Sequence, residues 1–312
     1  MNEEQVFDKL YSRVKKTMDS FGASYEIIFV DDGSKDLTSE LICKYGKKDH
    51  NVIGVKLSRN FGQDNAIIAG LEVSSGKDIV LLDGDLQDPP EKILNLVEKK
   101  NEGYDVVYGI KTDRKEGLLI TCLTSLFYQF MFFLSGIRMP KNVGTFSVFS
   151  RQVGEAILQF PESNKFFSGL RHHVGFKQTG VYYKREKRTQ GKSKSFIELT
   201  RMAMNSIFSS YSMFPMRLII CFVSIVAIST VFLFLFLIGI YQVIEGYVII
   251  NLSSFYQPLI ILIIGVVLLI LVMIAEVVGR IDAQVKQRPD FVVESIMQNG
   301  VSVKGSAAFS QK

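Results

Sequence analysis

Two carboxylates stand one residue apart in Leu82-Asp83-Gly84-Asp85-Leu86-Gln87-Asp88-Pro89-Pro90-Glu91, directly after the apolar run Ile79-Val80-Leu81. A buried strand ending in such a pair delivers both acids to the carboxyl edge of an α/β sheet, where these folds bind ligands. Hard oxygen donors of this kind suit Mg²⁺ or Mn²⁺ shared with a substrate diphosphate. A solvated turn is the blander alternative. In either reading a helix over residues 91–102 is expected to follow at once, with Asp88 as its N-cap, Pro89 and Pro90 in its first turn, and Glu91 closing a capping-box-like pair. Asp83 and Asp85 precede that cap and are not needed for it.

Two further clusters carry chemistry. Asp31-Asp32-Gly33-Ser34 closes a second apolar strand, and its carboxylates can accept hydrogen bonds from a base N–H or ribose hydroxyls. The same four residues also suit an ordinary turn. The third cluster is the run Lys184-Arg185-Glu186-Lys187-Arg188-Thr189-Gln190-Gly191-Lys192-Ser193-Lys194, and residues 177–201 hold eight Lys/Arg against two Glu. Arginine forks match phosphate oxygens, although a basic patch of this kind also steers a protein to anionic lipid. A metal-held diphosphate on one side and an Arg-bound phosphate on the other describe transfer from a nucleotide-activated donor to a lipid phosphate.

The elements that must position these groups are legible by period. Val6, Leu10, Val14 and Met18 recur four apart, which predicts a helix over residues 5–21. Strands follow at 25–30, 52–57, 78–82 and 105–110, separated by helices at 38–45, 65–74 and 91–102. This alternation predicts an α/β fold with a mostly parallel sheet covered on both faces.

The 312 residues are 47% hydrophobic, and the surplus is concentrated. Between Arg217 and Arg280 the only charges are Glu245 and Glu276, and residues 218–244 and 246–275 are uncharged. Each stretch exceeds the roughly 20 residues that cross a bilayer as a helix. Two transmembrane helices, about 217–243 and 256–279, therefore form a hairpin within 217–280. Arg and Lys flank the hairpin on both outer sides and are absent from its loop, so the positive-inside rule puts both termini in the cytoplasm of a cell (inner) membrane protein. Residues 117–137 and 196–216 are apolar but interrupted by polar groups, which suits helices lying in the interface. Residues 281–312 are expected to be a cytoplasmic tail.

Other signals are weak. The net charge of +5 is mostly membrane-facing and makes no case for nucleic acid. Met1-Asn2-Glu3-Glu4 is followed by no apolar run, so no signal peptide is expected. Cys43, Cys122 and Cys221 have no ligand spacing and read as reduced packing residues. His172 and His173 read as surface or hydrogen-bonded histidines.

Taken in order, the strings Ile28-Phe29-Val30-Asp31-Asp32-Gly33-Ser34, Arg59-Asn60-Phe61-Gly62-Gln63, the Asp83–Glu91 segment, Gly103-Tyr104-Asp105-Val106-Val107, Arg185…Arg188…Gly191…Ser193-Lys194-Ser195 and Val278-Gly279-Arg280-Ile281 span almost the whole chain. In them the chain resembles membrane-bound family 2 glycosyltransferases of the polyprenyl-phosphate type, such as bactoprenol glucosyltransferases and dolichyl-phosphate mannose synthases. The resemblance implies a GT-A nucleotide-sugar domain over 1–195 and then the transmembrane hairpin. It implies that Asp31 and Asp32 hold base and ribose. Asp83, Asp85 and Gln87 would serve the metal and diphosphate, and Arg185, Arg188 and Lys194 the phosphates. The implied reaction is an inverting single displacement from a UDP-sugar, with GDP less favoured, onto undecaprenyl or dolichyl phosphate. The implied assembly is a homo-oligomer, often a tetramer.

Two departures stand out. Relatives begin with an apolar strand and Pro-x-Tyr-Asn-Glu, whereas here Met1 falls just before Asn2-Glu3-Glu4, so the first strand is expected to be missing. Relatives also carry Asp-x-Gly-Asp-Phe-Arg near the acceptor, and the second Asp is a proposed base. Here the stretch is Asn142-Val143-Gly144-Thr145-Phe146-Ser147, which puts Thr145 at the base position. A phosphate monoester with a second pKa of about 6 is largely ionised at neutral pH and needs little deprotonation. The departures also leave open a catalytically weak or inactive membrane scaffold.

Overall fold

The computed structural model describes residues 2–112, 142–160, 166–186, 214–244 and 289–304, with scattered positions between 260 and 285. The chain divides into two compact units, Met1–Ser210 with Pro289–Lys312, and Tyr211–Arg288.

The first unit opens on α1 (Glu4–Phe21), which buries the stripe Val6, Phe7, Leu10, Val14 and Thr17 and stops at Gly22 in the left-handed region. Next come β1 (Ile27–Asp31), α2 (Thr38–Lys48), β2 (Val52–Leu57), α3 (Gln63–Val73) and β3 (Asp78–Leu81). A short 3₁₀ turn (Pro90–Lys92) leads into α4 (Ile93–Asn101) and β4 (Val106–Lys111). Then follow β5 (Val143–Ser150), α5 (Arg151–Leu158), α6 (Phe167–His173) and β6 (Gln178–Tyr183). The C-terminal part adds β7 (Val293–Gln298) and β8 (Val301–Lys304).

Two four-stranded sheets result, ordered β1-β2-β7-β8 and β3-β5-β4-β6. The expected mostly parallel sheet is thus replaced by mixed pairing. Only β1/β2 and β4/β6 run parallel, while β2/β7, β3/β5, β4/β5 and β7/β8 are antiparallel among the described residues. Two insertions from later in the chain are the cause: β5 enters between β3 and β4, and the β7–β8 hairpin adds to β2. Among the described residues β1 and β3, the strands that lead into the two acidic segments, are each an edge of their own sheet.

The largest core packs α3, β3, β4, β5, α5 and α6 through Ile68, Leu71, Ile79, Val106, Phe149, Val153, Ile157, Phe167 and Leu170. Each such side chain contributes about 1.5–3 kcal/mol of burial. A second cluster seats α1 on β1 and β2, with Val6, Leu10 and Val14 against Ile27, Val52 and Leu86. Leu86 lies inside the acidic loop, so α1 is a direct support of that loop.

The segment expected as a tail, 281–312, instead supplies a hairpin to the sheet. Asn299 (φ 52°) and Gly300 (φ 78°) make a two-residue turn with positive φ at both positions, the geometry that matches strand twist. Val293 and Met297 are buried on alternate sides of an exposed Glu294, and Met297 packs over Gly54 of β2.

In the second unit, α7 (Phe214–Ile244) is one continuous helix. Its segment Ser224–Tyr241 has a mean hydropathy of 2.4 with none of it buried, and by length and composition it suffices to cross a membrane. It is the one such helix among the described residues. Of the second expected span, positions 260, 263–268, 270, 271, 274, 275, 278 and 279 are helical. The expected interfacial helix 117–137 lies outside the described residues, as does 196–213 of the other one. Residues 214–216 belong to α7.

Candidate active site

Asp83 sits just beyond β3 and is where three chain segments meet. Its Oδ1 accepts a hydrogen bond from Gln63 Nε2 at 2.8 Å and another from Thr145 Oγ1 at 3.0 Å. The Arg59–Gln63 loop, the acidic loop and β5 therefore converge on one carboxylate. Burial pushes the Asp83 carboxyl above its ordinary range, and the negative charges of Asp88 and Asp85 add to the push. The Thr145 hydrogen bond and the Lys111 cation oppose it. The loop turns sharply after Asp85, whose Oδ1 accepts from Gln87 N at 3.1 Å. Leu86 takes a positive φ of 57° there with only 2% of its surface exposed. A branch-bearing residue held in that region is strained, and its burial against α1 maintains the strain.

Asp31 and Asp32 lie at the end of β1, both buried. Asp32 acts as a brace for the neighbouring loop, since its two oxygens accept from Phe61 N at 2.7 Å and Gly62 N at 3.0 Å. Asp31 Oδ1 accepts from Ser34 N at 3.0 Å, while its Oδ2 is buried with no hydrogen-bond partner among the described residues. Gly33 (φ +68°) is required here, since a Cβ would lie 2.5 Å from the Arg59 carbonyl carbon.

The root of the basic run is docked on the acidic loop. Arg185 Nε donates to Asp88 Oδ1 at 3.3 Å, and Tyr183 OH donates to the same oxygen at 2.5 Å. Glu186 N donates to the Gln87 carbonyl at 2.8 Å. On α1, Arg13 grips Glu91 with Nε and Nη2 (2.8 and 2.6 Å) and Glu186 with Nη2 and Nη1 (2.7 and 3.1 Å). Asp85, Gln87 and Arg185 are thus brought together, whereas Arg188 and Lys194 lie outside the described residues.

This arrangement corrects the expected helix cap. Asp88 caps nothing: the 3₁₀ turn has Pro89 at its N-cap, α4 has Lys92, and neither makes a side-chain cap bond. Tyr183 and Arg185 take the Asp88 carboxylate instead, and Arg13 takes Glu91.

Thr145 is set by a group that the sequence does not announce. Arg171 on α6 is fully buried. It donates to Gly144 O (3.0 Å), Thr145 O (3.3 Å) and Ser147 Oγ (2.8 Å). Burial pulls its pKa down to about 10. Beside it, burial and the Arg171 charge pull His172 down to about 4, so this imidazole is neutral at physiological pH and packs edge-on to Tyr108. Sequence reasoning does not single out Arg13, Asp88, Arg171 or Tyr183 as site residues. A charged residue in an otherwise apolar helical stretch, Phe166-Phe167…Leu170-Arg171, is the available hint for Arg171.

Among the described residues no group of three or more His, Cys, Asp or Glu side chains is arranged to hold a metal ion. What the site offers is a pair of carboxylates, Asp83 and Asp85, with Asp83 under strong pressure against its own charge.

A model described as glycosyl transferase family 2 matches residues 1–158. An uncharacterized glycosyltransferase of Bacillus subtilis (strain 168) is 37% identical over 295 residues, covering 94% of this chain and 90% of the relative. The bactoprenol glucosyl transferase of Shigella phage SfII is 34% identical over 298 residues, covering 94% of each. A prophage bactoprenol glucosyl transferase homolog of Escherichia coli (strain K12) is 32% identical over 300 residues, 95% of this chain and 96% of the relative. The mixed α/β sheets fit the GT-A fold of such enzymes. With a matching domain model and full-length relatives, the chain belongs to glycosyltransferase family 2.

Proposed function

We propose that the chain transfers a sugar from a nucleoside-diphosphate sugar to a polyprenyl phosphate at a membrane surface. The names of the bactoprenol glucosyl transferase relatives support the acceptor class. The observation that carries the chemistry is the junction at Gln87 and Asp88. There the acidic loop and the first residues of the basic run are held against each other.

In this reading Asp83 and Asp85 would hold Mg²⁺ or Mn²⁺, and Gln87, held by its backbone next to Asp85, is the third candidate. Mg²⁺ is commonly bound by one or two carboxylates together with substrate phosphates, which fits a two-carboxylate donor set. A divalent cation supplies charge neutralisation to the leaving diphosphate when bound. Arg185, with Arg188 and Lys194 further along the run, contacts phosphate oxygens. Asp31 and Asp32 serve the nucleoside end, Asp32 through the Arg59–Gln63 loop that it orders.

The acceptor phosphate oxygen attacks the anomeric carbon as the bond to the diphosphate oxygen breaks, and the nucleoside diphosphate departs with the electron pair. The acceptor is already ionised at neutral pH, so stabilising the leaving group is the larger demand on the protein. Thr145 then acts as a donor that orients Asp83, and no base is needed at this position. We further read the donor as UDP-linked in preference to GDP-linked. We read α7 and the 256–279 segment as two spans of an inner-membrane protein with cytoplasmic termini, assembled as a homo-oligomer.

The test offers purified full-length protein undecaprenyl phosphate, Mn²⁺ and a panel of UDP- and GDP-sugars, and follows nucleotide release. Metal-dependent release that requires the lipid supports the transfer. Silence across the panel favours a scaffold without activity.

A further inference from the structure

We propose that Asp88 is a positioning residue that aims the Arg185 guanidinium into the site and anchors the root of the basic run on the acidic loop. The inference rests on the reading of Arg185 as a phosphate-binding group.

Asp88 is 1% exposed, yet it does no capping work and carries a second carboxylate oxygen, Oδ2, that is buried and unpartnered among the described residues. Its Oδ1 collects both donors, Tyr183 OH and Arg185 Nε. Arg185 is the one cation paired with it among the described residues. Swinging the guanidinium away would therefore leave a buried charge uncompensated, which is costly. The Arg185 side chain is 32% exposed against 1% for Asp88. One edge of the guanidinium is thus fixed inside the protein, and the remainder faces outward where a ligand can reach it.

The support behind Asp88 is rigid. Tyr183 is 3% exposed, and its ring packs edge-on to Phe146 at 5.3 Å. It presses so closely on β4 that a Cβ at Gly109 would lie 2.6 Å from its Cε1. Order thus passes from the sheet to the Tyr183 hydroxyl, to the buried carboxylate, to Arg185. The backbone bond from Glu186 N to Gln87 O and the Arg13 grip on Glu186 hold the next residue in the same place. A group whose orientation is fixed before the ligand arrives loses less freedom on binding it.

Full-length wild type, Asp88→Asn, Tyr183→Phe, Arg185→Gln and the Asp88/Arg185 double variant are compared in detergent by hydrogen exchange without substrate. They are also compared by turnover with undecaprenyl phosphate, Mn²⁺ and the active donor. Asp88→Asn should speed amide exchange at residues 184–186 by about tenfold or more while β2 and α3 keep their protection. It should lower kcat/KM for the donor about tenfold and add little to the loss already caused by Arg185→Gln. Unchanged exchange at 184–186, or losses that add in full with Arg185→Gln, would overturn the inference. If Asp88→Asn does not fold, Tyr183→Phe carries the same comparison at smaller amplitude. A wild type that transfers no sugar counts against the proposed reaction, while the exchange comparison still decides the role of Asp88.

Discussion

Asp83→Asn should stabilise the protein without ligand at neutral pH, although in the proposed reaction it removes a metal-binding carboxylate. The amide keeps an oxygen for the Gln63 and Thr145 donors at 2.8 and 3.0 Å. It deletes a charge that burial, Asp88 and Asp85 all disfavour. Relief of strain kept for function commonly gains about 0.5–2 kcal/mol, or about 1–8 °C in a domain of this size. The pH dependence follows from the direction of the shift. A carboxyl raised above its unfolded range carries its full penalty above the folded pKa, and the penalty vanishes as pH falls below the unfolded value of about 3.9. The advantage of the variant should therefore shrink on acidification. Mn²⁺ with UDP at about 100 times Kd should add about 2.7 kcal/mol to the wild type alone and reverse the order. The protein has no Trp, so melting is followed by circular dichroism at one fixed scan rate, at pH 7 and near pH 4, with and without Mn²⁺ and UDP. A variant that melts at or below the wild type at pH 7 without ligand would refute the strain argument.

Thr145→Val removes the hydroxyl donor to Asp83. It should lower kcat/KM about tenfold, the worth of one hydrogen bond to a charged group, with circular dichroism unchanged. Arg171→Met should cost about 2 kcal/mol in denaturant unfolding, because the carbonyls of Gly144 and Thr145 and the Ser147 hydroxyl lose their buried donor; Arg171→Lys should recover part of it. Gly300→Ala, at φ 78°, should cost about 1 kcal/mol. It should raise hydrogen exchange in β7 and β8 while leaving α6 unaffected.

Locally coded elements are legible from the chain. β2 spans the expected residues, and α1, α3, β3 and β4 fall within two residues of their expected ends, because each follows a hydrophobic period or an uninterrupted apolar run. The meeting of the Arg59–Gln63 loop, Asp83 and Thr145 is not legible in the strings themselves, since Gln63 and Thr145 reach the Asp83 carboxylate from 20 and 62 residues away. What escapes the sequence are contacts made across long separations. Asp88 looks like a cap because a Pro-Pro-Glu follows it, but its partner Arg185 lies 97 residues away. The Arg13 grip on Glu186 spans 173 residues, and no local pattern encodes it. The β7–β8 hairpin is different, since Asn299-Gly300 between alternating residues is a strong hairpin signal. Its place after the long apolar stretch, at the end of the chain, argues for a tail and masks that signal. The parallel-sheet expectation fails at β5, whose apolar alternation fits either strand direction.

The most direct measurement is the mass of the polyprenyl phosphate recovered after incubation with purified wild type and with Asp85→Asn, Mn²⁺ and donor sugar nucleotides. Transfer predicts that wild type yields the lipid heavier by one glycosyl unit, that chelation of the metal abolishes the product, and that Asp85→Asn gives none. Lipid of unchanged mass with the wild type across every donor, or a glycosylated lipid formed equally well by Asp85→Asn, would contradict it.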